Sequence, residues 1–289
     1  MKSLSIIGCG NAGRTLARLW HDSGTFRIDG ILNSTPESSR EAVAFIGAGE
    51  AAANVAELPA SDIILIGCPD ERIRSCCERL ATGGRLGDGS ILFHLSGALS
   101  SCELAAARHA GAAVASTHPL MSFADPAAAI ENFAGTWCGC EGDPAALERL
   151  EPAFESIGAR LFRLDAADKS LYHAASVIAC NYLVALEEIS LRTFEQAGVE
   201  RRLALQLLEP ILHGTVNNIV TLGPTAALTG PIARGDADTV ARQLELLDSR
   251  DAETAGLYRR LGWIAAGLAE IQGKAPAERL ARIRELLQE

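Results

Sequence analysis

The 289-residue sequence is poor in basic side chains, with 26 Lys and Arg against 36 Asp and Glu and a formal net charge of −10 at pH 7. A nucleic-acid surface needs clustered Lys and Arg to displace counterions from phosphates, and an anionic membrane attracts the same side chains, so neither is an expected partner. Long apolar runs are also missing. The best stretch, Ala174 to Leu186, falls short of the roughly 20 positions a membrane span requires and is interrupted by Asn181. Eight cysteines are present without one Cys-x-x-Cys pair: Cys76 and Cys77 are adjacent, Cys138 and Cys140 are two apart, and no histidine stands at zinc-ligand spacing. Reduced thiols, mostly buried, and no metal site are therefore expected. Met1–Gly8 runs directly into a glycine turn, leaving no room for a signal peptide, and the expected location is cytoplasmic.

What is present is 48% apolar residues with only 5% aromatic, a composition for a packed chain and against disorder. At about 100 to 200 residues per domain the length allows two. Short apolar runs at 4–7, 28–32, 63–67, 91–95, 113–116, 136–140 and 160–164 alternate with helical patterns at 14–23, 71–80, 99–110 and 144–157. Such alternation predicts an α/β, Rossmann-like, mostly parallel sheet with helices on both faces. After Asp165 nearly everything reads as helix: 167–197, 200–222 with a kink at Pro210, 236–247, 252–272 and 276–288. No repeat is apparent. The expected division is a nucleotide-binding domain at 1–165 and an all-α substrate and dimerisation domain at 166–289.

Gly8-Cys9-Gly10-Asn11-Ala12-Gly13 matches G-x-G-x-x-G directly after a strand and at the opening of a helix, the context that gives the motif its meaning. Gly8 can make the tight turn, Gly10 can let a pyrophosphate approach the backbone, Gly13 can let helix and strand pack closely, and the helix N-terminus offers free N–H groups. Where an NAD-binding unit places an acid to hold the ribose, this sequence has Leu32-Asn33-Ser34-Thr35 with Arg40 nearby. Neutral donors and an arginine suit a 2′-phosphate, so NADP(H) is the expected cofactor, with Asn33, Ser34, Thr35 and Arg40 around it. Asp29 sits too early in its strand to compete. Open parallel sheets bind ligands at the carboxyl ends of their strands, which adds Cys68, Pro69, Asp70, Ser96 and Gly97 to the cofactor edge. For Asp70, capping the helix that starts at Glu71 is an equal reading.

His118 emerges at that edge and can orient a carbonyl or donate a proton; His94 lies within a strand pattern and reads as packed. On the helix after the boundary, Lys169 and His173 share a face, with Asn181 at its margin. Carbonyl reduction generates an alkoxide, which makes Lys169 the first choice as its stabiliser, a solvated lysine being the plainer reading. Leu228–Asp236 is a turn-rich segment in which Thr229 and Arg234 could grip a substrate carboxylate, with Asn217 beside the same substrate. Capping by Asp236 paired to Arg234 is the structural alternative.

Taken together, Gly8–Gly13, Pro69-Asp70, Ser96-Gly97, His118-Pro119, Lys169 with His173 and Asn181, and Leu228–Asp236 resemble one family across nearly the whole chain. Its members are Rossmann-like NADP-dependent oxidoreductases with a C-terminal helical domain of unknown function, some of them described as an alternative type of ketopantoate reductase. More distant relatives are 6-phosphogluconate/β-hydroxyacid dehydrogenases and pyrroline-5-carboxylate reductases. The β-hydroxyacid group carries Lys-x-x-x-Asn on a helix; here Lys169 is kept and His173 stands in place of the Asn. The resemblance implies hydride transfer from NADPH to a small carbonyl, a 2-oxo acid such as ketopantoate. Two alternatives stand beside it, an imine reductase and a non-catalytic NADPH-binding regulator. A homodimer through the helical domain is expected, because residues 167–197 are apolar all round.

Overall fold

The computed structural model describes residues 1–288 and builds every one of the seven expected strands into one sheet. In chain order the first elements are β1 (Lys2–Ile7), α1 (Asn11–Asp22), β2 (Phe26–Leu32), α2 (Pro36–Ile46), β3 (Glu50–Ala51), β4 (Ile63–Ile66), α3 (Asp70–Thr82) and β5 (Ile91–His94). They continue with α4 (Ala105–His109), β6 (Ala113–Pro119), α5 (Pro126–Asn132), β7 (Trp137–Gly142), α6 (Pro144–Glu155), β8 (Arg160–Arg163) and α7 (Lys169–Ser176). The strand order is β3-β2-β1-β4-β5-β6-β7-β8. Neighbours run parallel except β6 and β7, which are antiparallel with Ser116 opposite Glu141 and His118 opposite Gly139.

The central strands are apolar on both sides because both faces are covered. On one face Leu4, Ile6, Ile31 and Phe93 pack against Leu16, Trp20, Ile46 and Phe154. Trp20 stands edge-on to Phe26, Phe93 and Phe154 and donates its indole N–H to the carbonyl of Ala153 at 2.8 Å. Truncating it to alanine should cost about 3–5 kcal/mol. On the other face Ile7, Ile64, Ile66 and Leu92 pack against Ile73, Cys77, Leu80 and Leu104. Two helices went unforeseen. α2 starts where Thr35 accepts a hydrogen bond from the Ser38 amide ahead of Pro36, and α5 starts where Asp125 does the same for Ala127 ahead of Pro126. The expected helix at 99–110 is split into a 3₁₀ turn, Ser101–Leu104, and α4.

The first compact unit ends at Asn181, not at 165, and the second begins at Tyr182. The strand pattern does stop after β8, but Lys169 at the start of α7 is fully buried against the sheet, and a π turn, Val177–Asn181, closes the unit. Residue 166 thus marks a change of secondary structure within one packed body. One helical run, Ala166–Gln196, is long and apolar enough by length and composition to cross a membrane, because an average over 18 positions absorbs Asn181. That corrects the expectation of no such segment. Its first turns hold Lys169, Tyr172 and His173 among the polar groups of the sheet unit, a setting that water-free lipid does not supply.

The second unit is helical throughout: α8 (Tyr182–Gln196), α9 (Arg201–Leu222), α10 (Pro224–Ala227), α11 (Gly230–Ala233), α12 (Ala237–Arg250), α13 (Ala252–Gln272) and α14 (Ala277–Leu287). α9 runs through Pro210 as a single helix. Ile232, Val240, Leu244, Ala266, Leu280 and Ile283 form its main core, and Leu191, Ala204 and Leu208 form a smaller one. Outside these cores Val184, Ile211 and Val220 are 72%, 61% and 79% exposed.

Candidate active site

β1 delivers the chain into Gly8, whose φ of +79° and lack of a side chain are both required: a Cβ there would lie 2.5 Å from the Cys68 amide nitrogen. Gly67 meets the same junction from the other side, where a Cβ would sit 2.7 Å from the Gly8 carbonyl oxygen. The close approach expected at Gly13 is therefore made at Gly8 and Gly67; a Cβ on Gly13 would find only ordinary contact, 3.5 Å from the Gly8 oxygen. Gly10 is the N-cap of α1, with no side-chain cap and no acidic residue in the first turn, and nothing lies within 4 Å of its would-be Cβ. The first-turn N–H groups, Asn11 and Ala12 included, thus have no side-chain cap, the condition in which a helix start can receive a phosphate. The Asn11 side chain points elsewhere, donating to the carbonyls of Phe123 and Ala124 at 2.8 and 3.1 Å.

At the ribose position the Asn33 side chain is fully used in joining its own turn to the glycine turn. Its Oδ1 accepts from the Cys9 amide at 2.6 Å and its Nδ2 donates to the Ser38 carbonyl and hydroxyl at 2.9 and 3.1 Å. Thr35 caps α2, and Arg40 pairs with Glu37 at 2.7 Å on the exposed side. Ser34 is exposed at the turn. Asn33 therefore holds the loop, while Ser34 is the polar side chain at this turn without a hydrogen bond among the described residues. Asp29 is engaged with Arg27 at 2.7 Å.

Pro69, not Asp70, occupies the N-cap of α3, and Asp70 in its first turn accepts a hydrogen bond from the Ser96 hydroxyl at 2.8 Å. Ser96 Oγ in turn accepts from the amides of Ala98 and Leu99. This link ties the Cys68–Asp70 turn to the Ser96–Gly97 turn. Behind it, His94 accepts from the Ser96 amide on Nδ1, so Nε2 carries the proton and donates to the Ser100 carbonyl, both at 3.1 Å. Burial pushes this imidazole down to about 4, and its role is structural.

Gly97 lies under two imidazoles. A Cβ there would fall 2.5 Å from His173 Cδ2 and 2.9 Å from His118 Nε2, so only glycine leaves room for the pair. The two rings are 5.8 Å apart at their centroids, and His118 Nδ1 is 3.0 Å from the Tyr172 hydroxyl. Burial, then the charges of Lys169 and His173, lower His118 to about 4, while burial raises Tyr172 to about 12. A neutral imidazole bonded to an intact phenol can pass a proton either way.

Lys169 is neither solvated nor open to a ligand. Fully buried, it donates to the Ser96 carbonyl at 2.8 Å and the Ser116 hydroxyl at 2.5 Å. Burial lowers it to about 8 against the pull of Glu141 and Asp70. It remains a cation at neutral pH, yet its ammonium is committed to Ser96 and Ser116, which leaves the expected direct contact with an alkoxide without an open donor. Glu141, also buried, accepts from the amide and hydroxyl of Ser101 at 2.7 and 2.8 Å and supplies the opposing charge. Tyr172, Ser116 and Glu141 escaped the sequence reading. A carboxylate between Cys140 and Gly142 at the end of a strand was the signal for Glu141, and only the antiparallel register places it opposite Ser116.

Within the second unit, Asn217, Thr229 and Arg234 do not line one common cavity. Asn181 is exposed at the end of the π turn in the first unit. In the second unit Asn217 lines a groove with Leu183, Leu212 and His213, whereas Thr229 borders a separate, largely apolar cavity of about 750 Å³ with Leu186, Phe194, Leu246 and Tyr258. Arg234 is exposed at the end of α11 and lines neither. Asp236 caps α12 through the Thr239 amide at 3.1 Å, and no ion pair joins it to Arg234 among the described residues. Metal-ligand clusters of three or more His, Cys, Asp or Glu are absent among the described residues, and the eight cysteines are free.

Residues 3–91 match the family model described as NADP oxidoreductase, coenzyme F420-dependent, and residues 136–263 match a domain of unknown function, DUF2520. The glycine turn, the ribose position and Cys68–Asp70 lie within the first match, while Lys169, Tyr172 and His173 lie within the second. No functionally curated protein matches the chain. Among solved structures, a protein of Thermotoga maritima is 27% identical over 93% of this chain and 99% of its own, with a TM-score of 0.74. An imine reductase of Myxococcus stipitatus in complex with NADP+ is 18% identical over 97% and 99%, with a TM-score of 0.68. A pyrroline carboxylate reductase of Plasmodium falciparum with NADP bound is 12% identical over 99% and 98%, with a TM-score of 0.58. The last two share the fold.

Proposed function

We propose that the chain is an NADPH-dependent reductase of a small carbonyl compound, a 2-oxo acid such as ketopantoate, with His118, Tyr172 and His173 above Gly97 as the groups that meet the reacting oxygen. The observation that carries the reading is the His118–Tyr172 hydrogen bond at the cofactor edge of the sheet. NADPH, when bound, supplies the hydride. The negative oxygen left by hydride addition needs a proton, and the His118–Tyr172 relay can deliver one without a charged acid in the ground state. Lys169 acts through this pair as a positioning residue, holding His118 neutral and fixing the Ser96 and Ser116 strand ends.

A second reading, an imine reductase, is favoured by the fold shared with the Myxococcus stipitatus and Plasmodium falciparum enzymes. A protonated imine brings its own proton, and a neutral His118 does not repel it. Following NADPH oxidation with a panel of 2-oxo acids and cyclic imines separates the two. Tight NADPH binding with no turnover on either class would instead identify a cofactor-binding regulator. The exposed apolar side chains Val184, Ile211 and Val220 support a homodimer through the helical unit, to be checked by sedimentation at micromolar concentration.

A further inference from the structure

Beside the dinucleotide turn two thiols touch. Cys68, partly exposed after β4, directs its S–H at Cys76 Sγ across 3.9 Å, and Cys76 sits nearly buried on α3. We propose that Cys68 and Cys76 are an oxidation site that closes reversibly to a disulfide under a hydroperoxide and in closing weakens dinucleotide binding. The inference rests on the cofactor half of the reading above and is independent of the substrate.

A disulfide holds its sulfurs about 2.0 Å apart, so closure draws them together by nearly half their present separation. Cys76 is fixed on a helix whose neighbours Ile73, Cys77 and Leu80 are in the core, so closure has to shift the turn bearing Cys68. That turn is pressed against Gly8, with no space for even a methyl group between them. Displacing it disturbs the loop that presents the α1 amides. Reactivity favours the same pair: the hydrogen bond from Cys68, outweighing burial and aided by Arg79 and Arg72, draws Cys76 down to about 7, whereas the Cys68 thiol is pushed up. In the first step the Cys76 thiolate attacks one peroxide oxygen, the O–O bond breaks, and water departs with a sulfenic acid left behind. In the second the Cys68 sulfur attacks the sulfenic sulfur and expels its oxygen as water. Two thiols lose two electrons and two protons, and hydrogen peroxide gains them.

The test uses the full chain carrying Cys102→Ser and Cys180→Ser, which removes the two exposed thiols. Peroxide should yield a peptide joining Cys68 to Cys76 and a mass lower by two hydrogens, with NADPH affinity by calorimetry about tenfold weaker and restored by dithiothreitol. Cys76→Ser, with Cys76→Ala as a second variant should the serine hydroxyl disturb the core, should bind NADPH normally and ignore peroxide. Persistence of both thiols under peroxide overturns the site, and a joined peptide with unchanged affinity overturns its coupling to the cofactor. A reduced protein that fails to bind NADPH refutes the cofactor reading and the coupling with it. Failure to reduce any carbonyl or imine refutes only the proposed activity.

Discussion

The two compact units solve the problem of burial differently. In the first, a sheet covered on both faces buries aromatic and aliphatic side chains in two clusters, and polar groups drawn inside, such as Lys169, Glu141 and His94, are held by named hydrogen bonds. In the second, seven helices build two small cores and leave a long series of apolar side chains on the surface. A buried polar network fixes one arrangement because every alternative strands a donor or an acceptor, whereas an apolar helix face accepts any well-fitting cover. The first unit is thus pinned by specific polar contacts, and the second leaves apolar surface open.

If that contrast holds, changes in the first unit should be costly in graded ways and changes on the helical surface should not. Gly8→Ala combines left-handed strain with overlap on the Cys68 backbone and should cost about 3 kcal/mol or more, with loss of NADPH binding. Gly10→Ala, in open space, should melt normally and weaken NADPH alone; thermal melting with calorimetry distinguishes them. Acid comes next. His94 and His118 titrate near 4 when folded against 6.5 when unfolded, so below pH 6.5 the unfolded chain takes up protons that the folded chain refuses. Stability should be complete above pH 6.5 and fall as the pH drops to about 4, the fully buried His94 contributing of order 3 kcal/mol, and denaturant melts across that window would show it. A flat profile contradicts the buried neutral imidazoles.

Lys169→Met should lower kcat on the order of 10²-fold and move the acid limb of the pH profile upward, since burial still depresses His118 but the added push of the Lys169 charge is gone. An unmoved limb would reduce Lys169 to a packing role. Thr35→Ala removes the α2 cap and should cost about 1 kcal/mol in urea melts. Smallest of all, Val184→Glu should shift stability by no more than about 0.5 kcal/mol in the isolated chain while turning a sedimenting dimer into a monomer. A large loss of fold from that one exposed position would erase the distinction between the units.

Period and punctuation made the sheet legible in the sequence, because buried parallel strands read as apolar runs and G-x-G-x-x-G marks its own strand and helix. The antiparallel turn at β7 was not legible, since strand direction depends on connections that leave no local pattern. For the site, the sequence supplied His118, His173 and Lys169 but not their environments. Lys169 near a helix start looks solvated until the sheet is laid over it. Tyr172 was hidden beside His173, because neighbours on a helix point apart unless a third element, here β6 with His118, receives both. Arg234 and Asn217 stood out by residue type alone, and the fold gives them different surroundings.

The borders of the sheet carry a consequence for crowding in concentrated solution. An open strand flank is a row of unpaired amides and carbonyls that can template another chain. Here one flank is β3, two residues long with Glu50 exposed, and the other is β8, four residues long with an exposed arginine at each end. Neither offers enough length or greasiness for an incoming strand to zip onto. Backbone pairing of a second chain onto either flank, the route that leads to fibres, is thereby disfavoured.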